Sequence, residues 1–227
     1  MAYALVGSAG AVASGTTSVA PAFPQVPTAG NLLIAWAIGF TTTTGLTINQ
    51  GWTLAKESSG SSPGSADVFW KIATASETAP TISQASGVNM FAQIAEFSGN
   101  VAATPVDKTI PGSGGTSGSN VSTAASADTA SGELVLMVSG AIYSAGASKT
   151  TTLSLNNGTL VSTANNDASA VTGHYRFGYA ITTTNASADS STFTYTTTNV
   201  TGSTHTGASM KVLSVGGHLL MLVGVGS

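Results

Sequence analysis

A chain of 227 residues is long enough to bury a proper core, either as one large sandwich or as two domains of about 100 residues. Only 7% of its residues are charged, the net charge is −3, and the six cations Lys56, Lys71, Lys108, Lys149, Arg176 and Lys211 are scattered along the chain. That excludes a phosphate-tracking groove and with it nucleic-acid binding; the absence of cysteine excludes disulfides and thiolate metal sites.

The polar remainder is mostly Thr, Ser, Asn and Gly, residues of strands and turns, so an all-β fold is expected and helix is not. The start, Met1 to Ser8, has no basic stretch followed by an apolar one and does not read as a secretory signal. Tyr3 to Val6 is the first candidate strand. In Leu32 to Gly39 one face carries Leu32, Ile34, Trp36 and Ile38 and the other Leu33, Ala35, Ala37 and Gly39, the period-two pattern of a strand. Asp67 to Ala73 sets Val68, Trp70 and Ile72 inward, with Asp67, Phe69 and Lys71 on the opposite, outer face. Met90 to Phe97 follows. Val101 to Thr116 reads as the connector between two halves, with Gly112 to Ser119 as an alternative boundary. Glu133 to Ser139 turns Leu134, Leu136 and Val138 inward. After Thr150 to Leu155, the segment His174 to Ile181 sets Tyr175, Phe177, Tyr179 and Ile181 against His174, Arg176, Gly178 and Ala180. Thr192 to Tyr195 and Ser209 to Val215 complete the strands. The apolar stretch from His218 to Val225 is too short to span a bilayer as a helix.

The second half repeats the first in order. Gly30-Asn-Leu-Leu-Ile-Ala-Trp is answered by Gly132-Glu-Leu-Val-Leu-Met-Val. Trp52-Thr-Leu-Ala matches Gly158-Thr-Leu-Val, Val68-Phe-Trp-Lys-Ile-Ala matches Tyr175-Arg-Phe-Gly-Tyr-Ala, and Gln93-Ile-Ala-Glu-Phe matches Lys211-Val-Leu-Ser-Val. The expected fold is a jelly-roll-like antiparallel β-sandwich with an internal duplication: a single domain over 1–227 made of pseudo-repeats at about 1–108 and 109–215, plus an apolar C-terminal strand at 216–227. A shared core is the preferred arrangement; two tandem sandwiches are the other. The uncharged terminal strand, with Leu219, Leu220, Met221, Leu222 and Val223, has to be covered within the sheet or against another subunit.

Residue patterns for chemistry are sparse. The nine carboxylates form no Glu-x-Asp-x-Glu cluster of the kind a glycosidase strand carries. Glu96 shares a strand face with Met90, Ala92 and Ile94 and is read as lying at the sheet rim. His174, His205 and His218 lack metal-ligand spacing, and no Gly-x-Ser-x-Gly lies between a strand and a helix. No enzyme activity and no cofactor are therefore expected. Asn165-Asn166-Asp167 is read as a turn in preference to a calcium loop. Phe69 and Lys71, with His174 and Arg176 from the second repeat, are the candidate binding residues, as a carbohydrate platform or a subunit contact.

At Gly30-Asn-Leu-Leu-Ile-Ala-Trp, Gly51-Trp-Thr-Leu-Ala, Val68-Phe-Trp-Lys-Ile-Ala and Glu96-Phe-Ser-Gly99 the chain resembles β-sandwich virion structural proteins of tailed bacteriophages and prophages. These read Gly-Asp-Leu-Leu-Val, Gly-Trp-Thr, an aromatic strand ending in Lys-x-Ala, and a strand ending in Ser-Gly. The likeness covers about residues 15 to 140 and departs at Asn31, where Asp is common. It implies a capsid decoration or cement subunit or a minor tail or fibre component, assembled in the host cytoplasm, with other virion proteins and further copies of itself as partners. It transfers no functional residue, because the shared positions are core and turn. The alternative is a lectin-like module that binds a host surface glycan.

Overall fold

The computed structural model describes residues 3–14, 17–40, 44–61, 64–86, 89–99, 101–115, 120–122, 126–143, 151–155, 161–166, 173–184, 186–189, 191–195 and 200–212. Among the described residues every regular element is a strand. The first half contains β1 (Ala4–Ser14), β2 (Ser18–Val19), β3 (Leu32–Phe40), β4 (Thr47–Ile48), β5 (Thr53–Ser61), β6 (Gly64–Ile72), β7 (Ile82–Ser83) and β8 (Asn89–Ser98). The second contains β9 (Val101–Gly115), β10 (Asn120–Ser122), β11 (Ser126–Thr129), β12 (Leu134–Tyr143), β13 (Thr151–Leu155), β14 (Val161–Asn166), β15 (Gly173–Ile181), β16 (Ala186–Asp189), β17 (Ser191–Tyr195) and β18 (Val200–Val212).

These strands form antiparallel sheets whose order is the same in both halves. The first half has a five-stranded sheet β1-β8-β3-β6-β5 and a three-stranded sheet β2-β7-β4; the second has β9-β18-β12-β15-β14 and β10-β17-β13, with β11-β16 as an added pair. Register agrees as well as order. Leu32 opposes Ile72 and Trp36 opposes Val68 on β3 and β6, as Leu134 opposes Ile181 and Val138 opposes Phe177 on β12 and β15. The turn before each central strand is also shared. Gly30 and Gly132 sit at φ 89° and 88°, a left-handed conformation that costs a residue with a Cβ about 1–2 kcal/mol. The Gly30 N–H donates to Ala73 C=O at 2.9 Å and the Gly132 N–H to Thr182 C=O at 2.8 Å.

The two five-stranded sheets pack face to face. Leu32, Ile34, Trp36, Ile38, Phe40, Val68, Phe91 and Phe97 from one meet Leu134, Leu136, Val138, Tyr175, Phe177, Ala208 and Met210 from the other in one buried cluster. Trp36 stacks on Phe177 with ring centroids 6.2 Å apart, Phe91 meets Tyr175 at 4.5 Å, and Phe97 meets Tyr179 edge-on at 5.0 Å. Each fully buried side chain of this size contributes about 1.5–3 kcal/mol, so this layer holds the halves together as well as holding each sheet. The Tyr3 hydroxyl adds a stitch at the rim, donating to Lys211 C=O at 3.0 Å. Its pKa is pushed up to about 12, by burial first and by the neighbouring Glu133 second.

β3 is buried on both faces, which explains why both of its residue sets are apolar. Leu33, Ala35 and Ala37, turned away from the shared core, pack with Phe69, Met90, Ala92 and Ile94 under Val19, Leu46, Trp52 and Ile82. The first half is thus a sandwich in its own right, and its larger sheet also supplies one side of the core between halves. In the second half Val135 and Met137 pack with Ile110 on the corresponding outer side of β12.

Four sequence expectations change. The connector proposed at Val101 to Thr116 contains β9, a 15-residue strand. Its Pro105 and Pro111 obscure the pattern, and they are tolerated because β9 is an edge strand. A boundary at 108/109 therefore falls inside β9, and the halves part near Gly99, at φ 147°. The residue matching also shifts. Val68 answers Phe177, where the sequence suggested Tyr175, a slip of two that alternation cannot detect. Gln93 answers Thr206 in place of Lys211, because β18 is too rich in Thr, Ser and Gly to display its phase. The C-terminal strand expected at 216–227, with Leu219, Leu220, Met221, Leu222 and Val223, lies outside the described residues.

Candidate functional site

The residues proposed from sequence as a binding platform are not brought together. Phe69 is 2% exposed, because the small β2-β7-β4 sheet covers the face it occupies. It is core, and an aromatic platform at this position is ruled out. Lys71 is an internal staple: its Nζ donates to Glu77 Oε2 at 2.7 Å and to the backbone carbonyl of Gln50 at 2.8 Å. Gln50 and Gly51 both have positive φ, 64° and 72°, so Lys71 clamps the Gly51-Trp52-Thr53 turn. Arg176 is half-buried on β15 opposite Ser139, on the side of its sheet turned away from the shared core. Phe69 points outward from the other sheet, so two five-stranded layers separate the two. His174 is placed only through its backbone, opposite Ala141. Asn165 and Asn166 lie in β14; Asp167, the third residue of the turn read from the sequence, lies outside the described residues.

Two carboxylates are more deeply placed than the sequence indicated. Glu96 was expected at the rim but is 1% exposed. Its Oε1 accepts from the Thr28 N–H at 2.8 Å and from Asn31 Nδ2 at 2.6 Å, and its Oε2 from Gln25 Nε2 at 3.4 Å. All three donors come from the segment between β2 and β3, so Glu96 fastens that segment across the end of β8. Its role is a folded-in anchor for backbone and amide donors.

Asp67 is fully buried on β6. Oδ1 accepts from the Ser65 hydroxyl and Oδ2 from the Leu46 N–H, each at 2.6 Å. Directly across the ladder on β5 stands Glu57. Burial is the main cause that lifts the Asp67 pKa to about 7; Glu57 adds to the rise, while the hydrogen bonds from Ser65, Leu46 and Ser58 oppose it. The two acids are ten residues apart in sequence and become neighbours only through the β5–β6 register, so no linear motif reveals them. The local signals are Ser65-x-Asp67, which supplies a hydroxyl two residues away, and Gly45. A Cβ at Gly45 would collide with Glu57 Oε2 and come within 3.7 Å of Asp67 Oδ2.

A paired acid and carboxylate is the equipment of general acid–base chemistry. Here both Asp67 oxygens accept from protein donors, so Asp67 holds the backbone at Leu46 onto β6. Among the described residues no three His, Asp or Glu side chains gather as metal ligands, and no helix is long and apolar enough to cross a membrane. Searches with the chain match no family model, no curated protein and no solved structure.

Proposed function

We propose that the chain is a structural module of a bacteriophage virion, a capsid decoration or cement subunit or a minor tail or fibre component, built by tandem duplication of one jelly-roll unit. The observation that carries this reading is the joining of two equivalent halves through their larger sheets. The order β1-β8-β3-β6-β5 with β2-β7-β4, recurring as β9-β18-β12-β15-β14 with β10-β17-β13, supports a duplicated jelly-roll-like unit. What such a body presents outward is sheet faces and the edge strands β1, β5, β9 and β14, the surfaces by which subunits add to an array. The motifs that resemble phage virion proteins agree with a scaffold role. Gly30, Gly51 and Gly99 occupy positive-φ turns, and Trp52 and Phe97 are core. The low charge suits surfaces covered by neighbouring subunits, where many weak contacts sum to firm attachment.

Glycan recognition is the alternative raised by the sequence, but burial of Phe69 removes the aromatic it relied on. The test is to separate lysate particles from free protein on a density gradient and to image the particles. The proposal expects the chain in the particle band at a fixed copy number, with density of this shape repeated on the shell or tail. Recovery only at the top of the gradient, from a lysate rich in particles, would overturn it.

A further inference from the structure

An open sheet ends on each side in a row of backbone N–H and C=O groups with no strand to pair with, and chains that stay apart break that row with charge, proline or bulges. Among the described residues the two large sheets end in β1, β5, β9 and β14, and three of these carry such devices. β5 bears Lys56 and Glu57 and two register shifts. β9 holds Pro105, Asp107, Lys108 and Pro111, with three shifts along its ladder. β14 is six residues long and interrupted by one shift. β1 is different: its eleven residues, Ala4-Leu-Val-Gly-Ser-Ala-Gly-Ala-Val-Ala-Ser14, include no charge and no proline, and after one shift between Leu5 and Gly7 the pairing with β8 is regular to Ser14.

Exposed apolar surface gathers at the same edge. Val6, Val26 and Leu54 are the large apolar side chains exposed among the described residues. Val6 lies on β1, and Val26, 83% exposed, is two residues from Pro24, whose ring stands 3.2 Å from the place a Cβ would take at Gly7. Leu54 alone lies elsewhere, on β5.

We infer that β1 joins two copies of this chain, pairing antiparallel with the β1 of a second copy about a twofold axis at Ala9, so that two five-stranded sheets continue as one. In such a pairing opposed residues share a face of the sheet, which places the axis on a residue and not between two. Along β1, Ser8 opposes Ala95 on the shared-core side and Ala9 opposes Ile94 on the outer side. Ala9 is the midpoint of Ala4–Ser14, so an axis there overlaps the whole strand. Gly7 then stands opposite the partner's Ala11, Ser8 opposite the partner's Gly10, and Val6 opposite the partner's Val12. Small residues meet small ones, Val meets Val, and no charges are brought together. The strand is its own complement, and that selects a second copy as the occupant. The contact is a property of the strand and holds whether the chain is free or carried on a particle, so purified protein tests it apart from the gradient experiment.

Sedimentation equilibrium of the intact chain at about 50 µM is expected to give twice the 22.3 kDa of one chain. Gly10 is exposed, and a Cβ there meets only Ala92 C=O at 3.5 Å, so Gly10→Lys keeps the fold. It sets two ammonium groups on diagonal positions about 7–8 Å apart across the axis and is expected to raise the dissociation constant about tenfold. Leu54→Lys, the same charge on the β5 edge, leaves the mass unchanged. The chain has no cysteine, so single cysteines read the register without background. Oxidised Ala9→Cys is expected to link the copies, because opposed Cα atoms stand about 4.5–5.5 Å apart, within disulfide reach. Ala4→Cys, with its two copies about 34 Å apart along the strand, is expected to stay unlinked. A mass of 22.3 kDa at this concentration, whether β1 is bare or covered by the chain's own 213–227 segment, would overturn the inference. So would a dimer that Leu54→Lys dissolves and Gly10→Lys leaves intact, or linking as complete at Ala4 as at Ala9. Should Gly10→Lys fail to fold, the mass of the parent chain and the two cysteine variants decide it.

Discussion

Replacing Asn31 with Asp tests the buried Glu96 anchor with a change of one atom type. Asn31 Nδ2 donates to Glu96 Oε1 at 2.6 Å, and Glu96 is 1% exposed. The substitution removes a hydrogen bond to a charged group, about 1.5–3 kcal/mol, and puts a second carboxylate against the first. At 4 Å and an effective dielectric of 20, that repulsion alone is about 4 kcal/mol. Side-chain rotation and water entry relieve part of this, so a loss of about 4 kcal/mol at pH 8 is expected in total. Urea unfolding at pH 8, followed by far-UV circular dichroism, measures it. The double variant Asn31→Asp with Glu96→Gln reverses donor and acceptor and is expected to recover most of the stability. An Asn31→Asp chain with the parental midpoint at pH 8, or a double variant as unstable as the single one, would refute the assignment of Glu96 as an anchor.

Three other consequences follow from the same geometry. Phe177→Ala is expected to cost about 3–5 kcal/mol, and a double-mutant cycle with Trp36 to give a coupling of about 1 kcal/mol from the stacked pair; zero coupling would contradict their contact across the halves. Gly30→Ala and Gly132→Ala are expected to cost the same, about 1–2 kcal/mol each, because a Cβ at either site meets nothing within 4 Å and only the positive φ is penalised; unequal losses in chemical denaturation would show that the turns differ. At Glu77 burial acts upward on the pKa but is outweighed by hydrogen bonds from Lys71 and Thr74, which hold it below the usual carboxylate value. The stability it contributes is present above about pH 4.5 and lost as the pH falls through the lowered value, so Glu77→Gln is expected to flatten the acid limb of the stability profile and leave its alkaline limb unchanged.

Strands with an apolar face were legible in the sequence because alternation survives wherever a large sheet is buried. Leu32 to Gly39, Asp67 to Ala73, Met90 to Phe97, Glu133 to Ser139 and His174 to Ile181 all belong to strands of the two large sheets. Phe69 was misread because its cover is a sheet of two-residue strands, Ser18–Val19, Thr47–Ile48 and Ile82–Ser83, too short to leave a periodic trace. β9 was missed because edge strands accept Pro and Gly, the residues that otherwise signal loops. The Glu57–Asp67 pair and the donors to Glu96 depend on register and on chain crossing between distant segments. Neither leaves a mark in local spacing.

Two halves of matching strand order share one apolar core and are expected to unfold together. Differential scanning calorimetry of the intact chain tests it most directly. One transition is expected, with a calorimetric enthalpy about equal to the van't Hoff enthalpy; two resolved transitions, or a calorimetric enthalpy about twice the van't Hoff value, would mean that each half melts on its own and that the shared core does not couple them.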